Sequence, residues 1–150
     1  MKTISKSMQE SHVAALRKGI CLEFFSAYQE MELDRMMNLC DALGIVSFVP
    51  LGRDYEGKIH EIGKGVWTAL MDAFPDLDNT VIDLVYLEKE NTVTCNVDIF
   101  GTQKKNFAGL EAKGKRFYSE HIFIFQFTDE DKIKDIKVDW NHHKFVSQLS

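Results

Sequence analysis

The sequence predicts one α+β domain that spans residues 1–150, and three observations support this class. Apolar residues in the first half recur at helical spacing, whereas the second half is rich in β-branched and aromatic residues at strand spacing. No Gly/Ser linker, internal repeat or low-complexity tract divides the chain. Because helices and strands are segregated rather than alternating, an α+β fold is favoured over a series of βαβ units.

Three helices are predicted in the first half of the chain. The first covers residues 11–31 with Ser11 as its N-cap, and its buried face consists of Val13, Leu16, Ile20, Phe24 and Tyr28. The second covers residues 33–43 and ends at Gly44, a residue type that often follows the last helical turn. The third covers residues 61–74, because Pro75 disfavours the helical conformation of the residue before it.

Five strands are predicted, one of them short. The short strand covers residues 45–49, and the four longer strands cover residues 81–88, 92–100, 115–128 and 133–141. The strand at 115–128 is apolar on both faces, so both faces need cover. Helices cover one face and a second subunit could cover part of the other, which predicts a homodimer through the sheet.

Composition and charge exclude several classes of protein. The formal net charge of −5 lacks the basic excess of a dedicated nucleic-acid binder. No apolar run is long enough to cross a bilayer, and the N-terminus has no apolar signal region, so we expect a cytoplasmic protein without membrane contact. Cys21, Cys40 and Cys95 are odd in number and widely spaced, which predicts reduced thiols rather than disulfides or a zinc site.

Several short segments, in this order and at this spacing, resemble one known family. They are FF at 24–25 with ELDRM at 32–36, AFPDL at 73–77, GT at 101–102 with FAGL at 107–110 and GK at 114–115, FIFQF at 123–127 with KI at 132–133, and VDWN at 138–141. The combination resembles the SnoaL-like polyketide cyclases of the nuclear transport factor 2-like superfamily. The resemblance implies a cone-shaped α+β fold in which three N-terminal helices pack on a curved, mainly antiparallel sheet.

The resemblance also implies a conical cavity between the helices and the concave face of the sheet. SnoaL-like cyclases close a ring by an intramolecular aldol reaction without metal or cofactor, using an Asp and a His from the late strands. A base removes a proton next to a carbonyl group and an acid protonates the carbonyl oxygen. A small apolar carbonyl compound is therefore the expected ligand, and the alternative is a non-catalytic ligand-binding or dimerisation domain.

Three residues are candidates for this acid–base chemistry. His121 lies on the third long strand and shares its side with Phe123, an apolar setting that alters the pKa of an imidazole. Asp139 lies on the last strand, on the side of Asp135 and Lys137, which indicates a solvent-facing carboxylate. Asp98 on the second long strand is the third candidate. The alternative interpretations are a hydrogen-bonded core histidine for His121 and surface carboxylates for both aspartates.

Several positions differ from the catalytic residues of related families, and these differences disfavour particular reactions. Asn141 stands where the family often has its closing-strand acid, and an amide cannot act as a base. Fold-related epoxide hydrolases carry an Arg two residues before an Asp, where this chain has Asn96. Ketosteroid isomerases carry an Asp before a Pro where this chain has Val49, and a Tyr near Phe25. Epoxide hydrolysis and isomerisation of those types are therefore disfavoured.

A pocket for a flat ligand is expected to have polar and aromatic walls. The residues predicted to line it are Phe25, Tyr28, Trp67, Asn96, Phe123 and Trp140. The sequence D-x-x-H-H at 139–143 has no diagnostic metal-ligand spacing, so we interpret it as solvated polar sequence near the C-terminus and expect no metal site.

Overall fold

The computed structural model describes residues 6–150 of the protein, with side chains described from His12 onward. Its helices are Lys6–Gln29 (α1), Leu33–Asn38 (α2), Lys64–Ala73 (α3) and His142–Leu149 (α4). Its strands are Cys40–Phe48 (β1), Glu56–Lys58 (β2), Asp78–Leu87 (β3), Thr92–Thr102 (β4), Arg116–Phe127 (β5) and Ile133–Trp140 (β6). The α+β class predicted from the sequence is confirmed.

The strands form one six-stranded sheet in the order β2-β1-β6-β5-β4-β3. β1 and β6 run parallel, and every other neighbouring pair is antiparallel. Helix α1 packs across β3 and β4. The sheet is curved and unclosed, and the helices cover one of its faces, which leaves a space between α1, α3 and the central strands.

Strand alternation decides which side chains face the helices. In β4, the alternate residues Val93, Cys95 and Val97 are buried against the helical layer. The side chains of Asn96 and Asp98 point to the opposite face. β5 follows the same rule and buries its phenylalanines. We call the helix-covered side the inner face and the other side the outer face.

Aromatic side chains make the centre of the core. Phe24 of α1 contacts Trp67 of α3 and Phe125 of β5, with ring centroids 5.4 and 5.1 Å apart and edge-to-face geometry. Phe25 lies 4.9 Å from Phe123 in the same arrangement. Edge-to-face pairs add about 0.5–1.5 kcal/mol each beyond the burial of their area. These contacts attach the first and third helices to the inner face of the sheet.

The structure corrects the predicted ends of the first two helices. Ser11 lies inside α1 rather than at its N-cap. α2 ends at Asn38, so the last part of the helix predicted at residues 33–43 is wrong and belongs to β1. Gly44 lies within β1, where the register with β6 shifts between Cys40 and Ile45. Pairing of Cys40 with Ile133 of β6 outweighs the local helical preference of residues 40–43.

Three further elements are absent from the sequence-based prediction. The short strand β2 pairs with β1, and a π-helical turn at Ile59–Gly63 connects it to α3. The C-terminal residues form α4, and His142 is half-buried, which corrects our interpretation of that position, whereas His143 is exposed as expected. The Asn141 side chain accepts a hydrogen bond from the backbone N–H of Lys144 at 3.0 Å and so caps this helix. Phe145 and Leu149 then anchor α4 in the core.

Across residues 6–150, no helix is long and apolar enough to cross a membrane. Cys21, Cys40 and Cys95 are buried and are not joined by disulfides.

Candidate functional site

A narrow cavity lies between α1, α3, α4 and the inner face of β4–β6. Its volume is about 40 Å³, which is space for one or two water molecules because each takes about 30 Å³ in the liquid. Most of its wall is apolar or aromatic, including Leu70, Phe107, Phe117, Val138 and Phe145. A wall of this kind favours neutral, apolar ligands over charged ones.

His121 of β5 is one of the titratable groups of this wall. Its Nδ1 lies 3.3 Å from the carbonyl oxygen of Ser119. Because a carbonyl oxygen only accepts, Nδ1 carries the proton in this contact and Nε2 keeps its lone pair. Nε2 has no hydrogen-bond partner among residues 12–150, whose side chains the structure describes. His121 therefore offers a proton acceptor in an apolar cavity.

Burial lowers the pKa of His121 to about 4, against the opposing effects of the Ser119 carbonyl and the negative charge of Asp98. A group with this pKa is neutral at pH 7. The imidazole is therefore available as a base without prior loss of a proton, although a low pKa makes it a weak one.

Trp140 and His142 continue the polar part of the wall. Trp140 lies directly opposite His121 in the β5–β6 ladder, and the two rings stack with centroids 5.2 Å apart. The indole Nε1–H of Trp140 donates a hydrogen bond to His142 Nδ1 at 3.2 Å. His142, the first residue of α4, also lines the cavity.

The helical side of the cavity contributes Tyr28 from α1 and Trp67 from α3. Their ring centroids are 6.4 Å apart, and both side chains are buried. Burial raises the pKa of the Tyr28 hydroxyl, so this group keeps its proton and remains a hydrogen-bond donor near neutral pH. The cavity thus holds a proton acceptor on the sheet and a hydroxyl donor on the helical layer.

The structure brings together five of the residues selected from the sequence. The residues that line the cavity as expected are Tyr28, Trp67, His121, Phe123 and Trp140.

Two other residues selected for the pocket lie elsewhere. Phe25 packs inside the core against Phe123, and Asn96 points to the outer face of β4.

The two candidate carboxylates also point to the outer face of the sheet. Asp98 accepts a hydrogen bond from the hydroxyl of Tyr118, which raises the pKa of that phenol. Asp139 is exposed and accepts a hydrogen bond from the backbone N–H of Trp140 at 2.9 Å. Both border an open outer groove of about 720 Å³, which His121 and Trp140 also reach. Within the described chain, no hydrogen bond joins His121 to either carboxylate.

Sequence reasoning missed His142 and Phe145 as cavity residues. The signal was present, since His142, Phe145 and Leu149 recur at the spacing of one helical face. Asn141, which stands where the related proteins often have an acid, serves here as the cap of that helix. Among the residues described by the structure, no group of three or more His, Cys, Asp or Glu side chains is placed to hold a metal ion.

Comparison with protein families gives one match. The sequence model described as SnoaL-like polyketide cyclase matches residues 56–149, which is more than half of the chain. The matched segment includes β3 to β6 and therefore His121, Trp140 and His142. No curated protein sequence matches significantly.

Solved structures with the same fold agree with this match. AclR from Streptomyces galilaeus, a proposed hydroxylase, superposes with a TM-score of 0.77 at 21% identity and covers 90% of this chain and 85% of its own. A proposed SnoaL-like polyketide cyclase from Jannaschia sp. CCS1 has a TM-score of 0.77 at 15% identity, with coverage of 100% and 98%. IdmH from Streptomyces antibioticus, a proposed polyketide cyclase, has a TM-score of 0.73 at 19% identity, with coverage of 89% and 97%. These similarities confirm the cone-shaped α+β fold.

Proposed function

Because the chain belongs to the SnoaL-like polyketide cyclase family, we propose that it binds a small neutral carbonyl compound in the cavity and transfers a proton beside the carbonyl group. The observation that carries this proposal is the position of His121, which lines the apolar cavity while its Nδ1 lies 3.3 Å from the Ser119 carbonyl oxygen and leaves Nε2 as the free proton acceptor. A positioned imidazole of this kind is the usual general base of proteins.

The proposed reaction needs no cofactor, because every step is a proton transfer or a carbon–carbon addition. His121 Nε2 takes a proton from the carbon next to the carbonyl, and the C–H electron pair moves into an enolate. The enolate carbon attacks a second carbonyl of the same molecule, and the resulting alkoxide takes up the proton that His121 Nε2 removed, which returns His121 to its neutral form. The Tyr28 hydroxyl, kept protonated by burial, is a donor for the oxygen on which the charge develops.

The size of the cavity limits the ligand and the way it binds. Drug-sized ligands occupy sites of about 300–1,000 Å³, whereas this cavity measures about 40 Å³. Binding therefore requires lining side chains to move outward. Leu51 ends a short 3-10 turn and Phe107 lies in the loop after β4, so they are the side chains we expect to yield first.

The two carboxylates act indirectly in this proposal. The negative charge of Asp98 raises the pKa of His121 and thus opposes the effect of burial. We propose that Asp98 strengthens the base from the outer face, and that Asp139 contributes to the negative potential of the outer groove.

A second candidate function is ligand binding without catalysis. Two observations favour it: neither Asp98 nor Asp139 contacts His121, and Asn141 caps α4 instead of supplying an acid. In that case the cavity would serve as an apolar binding site, and His121 would be a hydrogen-bonded wall residue.

The bicyclic ketone 2-tetralone distinguishes the two functions. Exchange of its α-protons in D₂O is followed by ¹H NMR, and binding is followed through the fluorescence of Trp67 and Trp140. We expect the protein to accelerate exchange and His121→Gln to lower the protein-catalysed rate about 10²–10⁴-fold. The matched control is His143→Gln, an exposed neighbour that does not line the cavity. Binding without exchange above the buffer rate supports the non-catalytic function.

We further propose that two copies associate through the outer face. Ile82 and Ile122 on that face are 60% and 45% exposed, and both border the outer groove. Carboxylates also border this groove, so salt should strengthen self-association by screening their repulsion. Sedimentation of the wild type and of Ile122→Glu at low and high salt tests this, and a monomer at all concentrations contradicts it.

A further inference from the structure

We propose that His142 donates a hydrogen bond to the carbonyl oxygen of the ligand, and that Trp140 is a positioning residue that fixes the His142 proton on Nε2. The inference rests on the proposed function, since it assigns a second polar group of the same cavity. His142 was not among the residues selected from the sequence.

The start of α4 places His142 at the cavity. The Asn141 side chain caps the helix, and Phe145, one turn further on, is buried. The imidazole of His142 stacks on the ring of Phe145 with centroids 5.8 Å apart and planes 21° from parallel. His142 therefore has a defined position on the wall, while His143 is exposed and does not line the cavity.

The hydrogen bond from Trp140 determines which nitrogen of His142 carries the proton. An indole N–H can only donate, so His142 Nδ1, at 3.2 Å, must accept with its lone pair. A protonated imidazole has no such lone pair, so this contact selects the neutral form with the proton on Nε2. Trp140 therefore leaves His142 one free polar group, the Nε2–H donor.

His121 has the opposite arrangement. Its Nδ1–H faces the Ser119 carbonyl, and its Nε2 carries the free lone pair. Both imidazoles contact the same indole, with ring centroids 5.2 Å from Trp140 for His121 and 5.9 Å for His142. One cavity thus contains an imidazole that can only accept at its free nitrogen and another that can only donate.

These two imidazoles suit the two atoms of a ketone that change during enolisation, the α-carbon that loses a proton and the oxygen that gains negative charge. His121 Nε2 accepts the proton from the α-carbon, the electron pair of the C–H bond moves toward the oxygen, and negative charge develops there. The hydrogen bond from His142 Nε2–H strengthens as that charge grows, which favours the transition state over the bound ketone. His142 keeps its proton throughout, as a neutral imidazole acting as an electrophile does. The proton on His121 then returns to carbon or exchanges with solvent.

The first test measures the tautomers directly in the ligand-free protein. Long-range ¹H–¹⁵N NMR correlations of the imidazole rings report which nitrogen is protonated, and single His variants assign the signals. We expect the neutral Nε2–H form at His142 and the neutral Nδ1–H form at His121. Trp140→Phe, which keeps an aromatic ring but removes the donor, should return His142 to a mixture of tautomers. A His142 proton on Nδ1, or no effect of Trp140→Phe, overturns the inference.

The second test uses the carbonyl stretch of bound 2-tetralone in infrared difference spectra. A hydrogen bond from His142 lowers the stretching frequency, so His142→Phe should raise it and should slow α-proton exchange about 10²–10³-fold. His142→Gln retains an N–H donor and should restore part of both effects, whereas His143→Phe should change neither. An unchanged stretch in His142→Phe overturns the inference and leaves the chemistry of His121 intact. If the wild type binds 2-tetralone but does not accelerate exchange of its α-protons, the proposed catalysis is overturned. The carbonyl stretching frequency of the bound ketone then still shows whether His142 donates a hydrogen bond to it.

Discussion

The imidazole of His121 lies nearly parallel to the indole of Trp140, with ring centroids 5.2 Å apart and planes 17° from parallel. A cation over an aromatic face gains about 0.5–2 kcal/mol, which would favour the protonated imidazole. The pKa of His121 is nevertheless lowered to about 4 because its charged form is desolvated. Burial therefore outweighs the attraction of the ring, and the stack holds a neutral base.

Stability should fall as the pH is lowered through the titration range of His121. The unfolded chain binds this proton near pH 6.5 and the folded protein only near pH 4. The unfolded state thus binds more protons between these values, so the contribution is complete above pH 6.5 and is lost as the pH falls toward 4. It amounts to at most about 3 kcal/mol. Urea unfolding of the wild type from pH 7 to pH 4 measures it.

The matched variants for this measurement are His121→Gln and His143→Gln. Replacement of His121 removes its share of the pH dependence, whereas replacement of the exposed His143 should leave the slope as in the wild type. Equal slopes in wild type and His121→Gln would show that His121 is not held neutral by burial.

Arg17 should be a major determinant of stability although it lies outside the cavity. Its side chain is buried, with Nε 3.1 Å from Asp131 Oδ1 and Nη1 donating to the Tyr86 hydroxyl at 3.3 Å. Its guanidinium also lies 5.5 Å from the centre of the Phe127 ring. We expect Arg17→Met to lower the free energy of unfolding by about 2–4 kcal/mol, because it leaves polar partners without a donor. The exposed Arg53→Met is the control, and a similar loss in both variants would contradict this role.

Gly44 should tolerate no side chain at the irregular position in β1. A Cβ there would lie 2.7 Å from Ile59 Cδ1 and 3.1 and 3.2 Å from the carbonyl oxygens of Asp41 and Ile133. The isoleucine can move but the backbone cannot readily do so, and we expect Gly44→Ala to lower stability by about 1–3 kcal/mol. Gly19 in α1 has open space around it, so Gly19→Ala should instead raise stability by about 0.5–1 kcal/mol. Thermal unfolding of the two variants decides the point, and a neutral Gly44→Ala would contradict the packing described for β1.

The long strands were predictable because apolar and polar residues alternate along them, as expected for a sheet that is covered on one face. His121 shares its side of β5 with Phe123, and both face the cavity. Asp139 was expected to face solvent from its position between Val138 and Trp140, and the structure places it there. In these strands local pattern and tertiary packing agree, so sequence reasoning locates both His121 and part of the cavity wall.

The remaining elements depend on contacts that the local pattern does not contain. Residues 40–43 have helical character, yet pairing with β6 makes Cys40 the first residue of a strand. The residues next to His142 are polar and do not predict a buried helix. His142 reaches the cavity because Phe145 of the same helix packs against Phe117, with ring centroids 4.8 Å apart. Distant partners such as these are not visible in a single sequence.

The most direct test of the account is to locate bound 2-tetralone by methyl and imidazole NMR. Binding in the cavity should shift the methyl signals of Leu70 and Val138 together with the His121 ring, and all should follow one binding curve. The methyl signals of Ile82 and Ile122, which border the outer groove, should stay in place. Shifts confined to Ile82 and Ile122, with Leu70 and Val138 unchanged at saturation, would contradict the assignment of the cavity as the functional site.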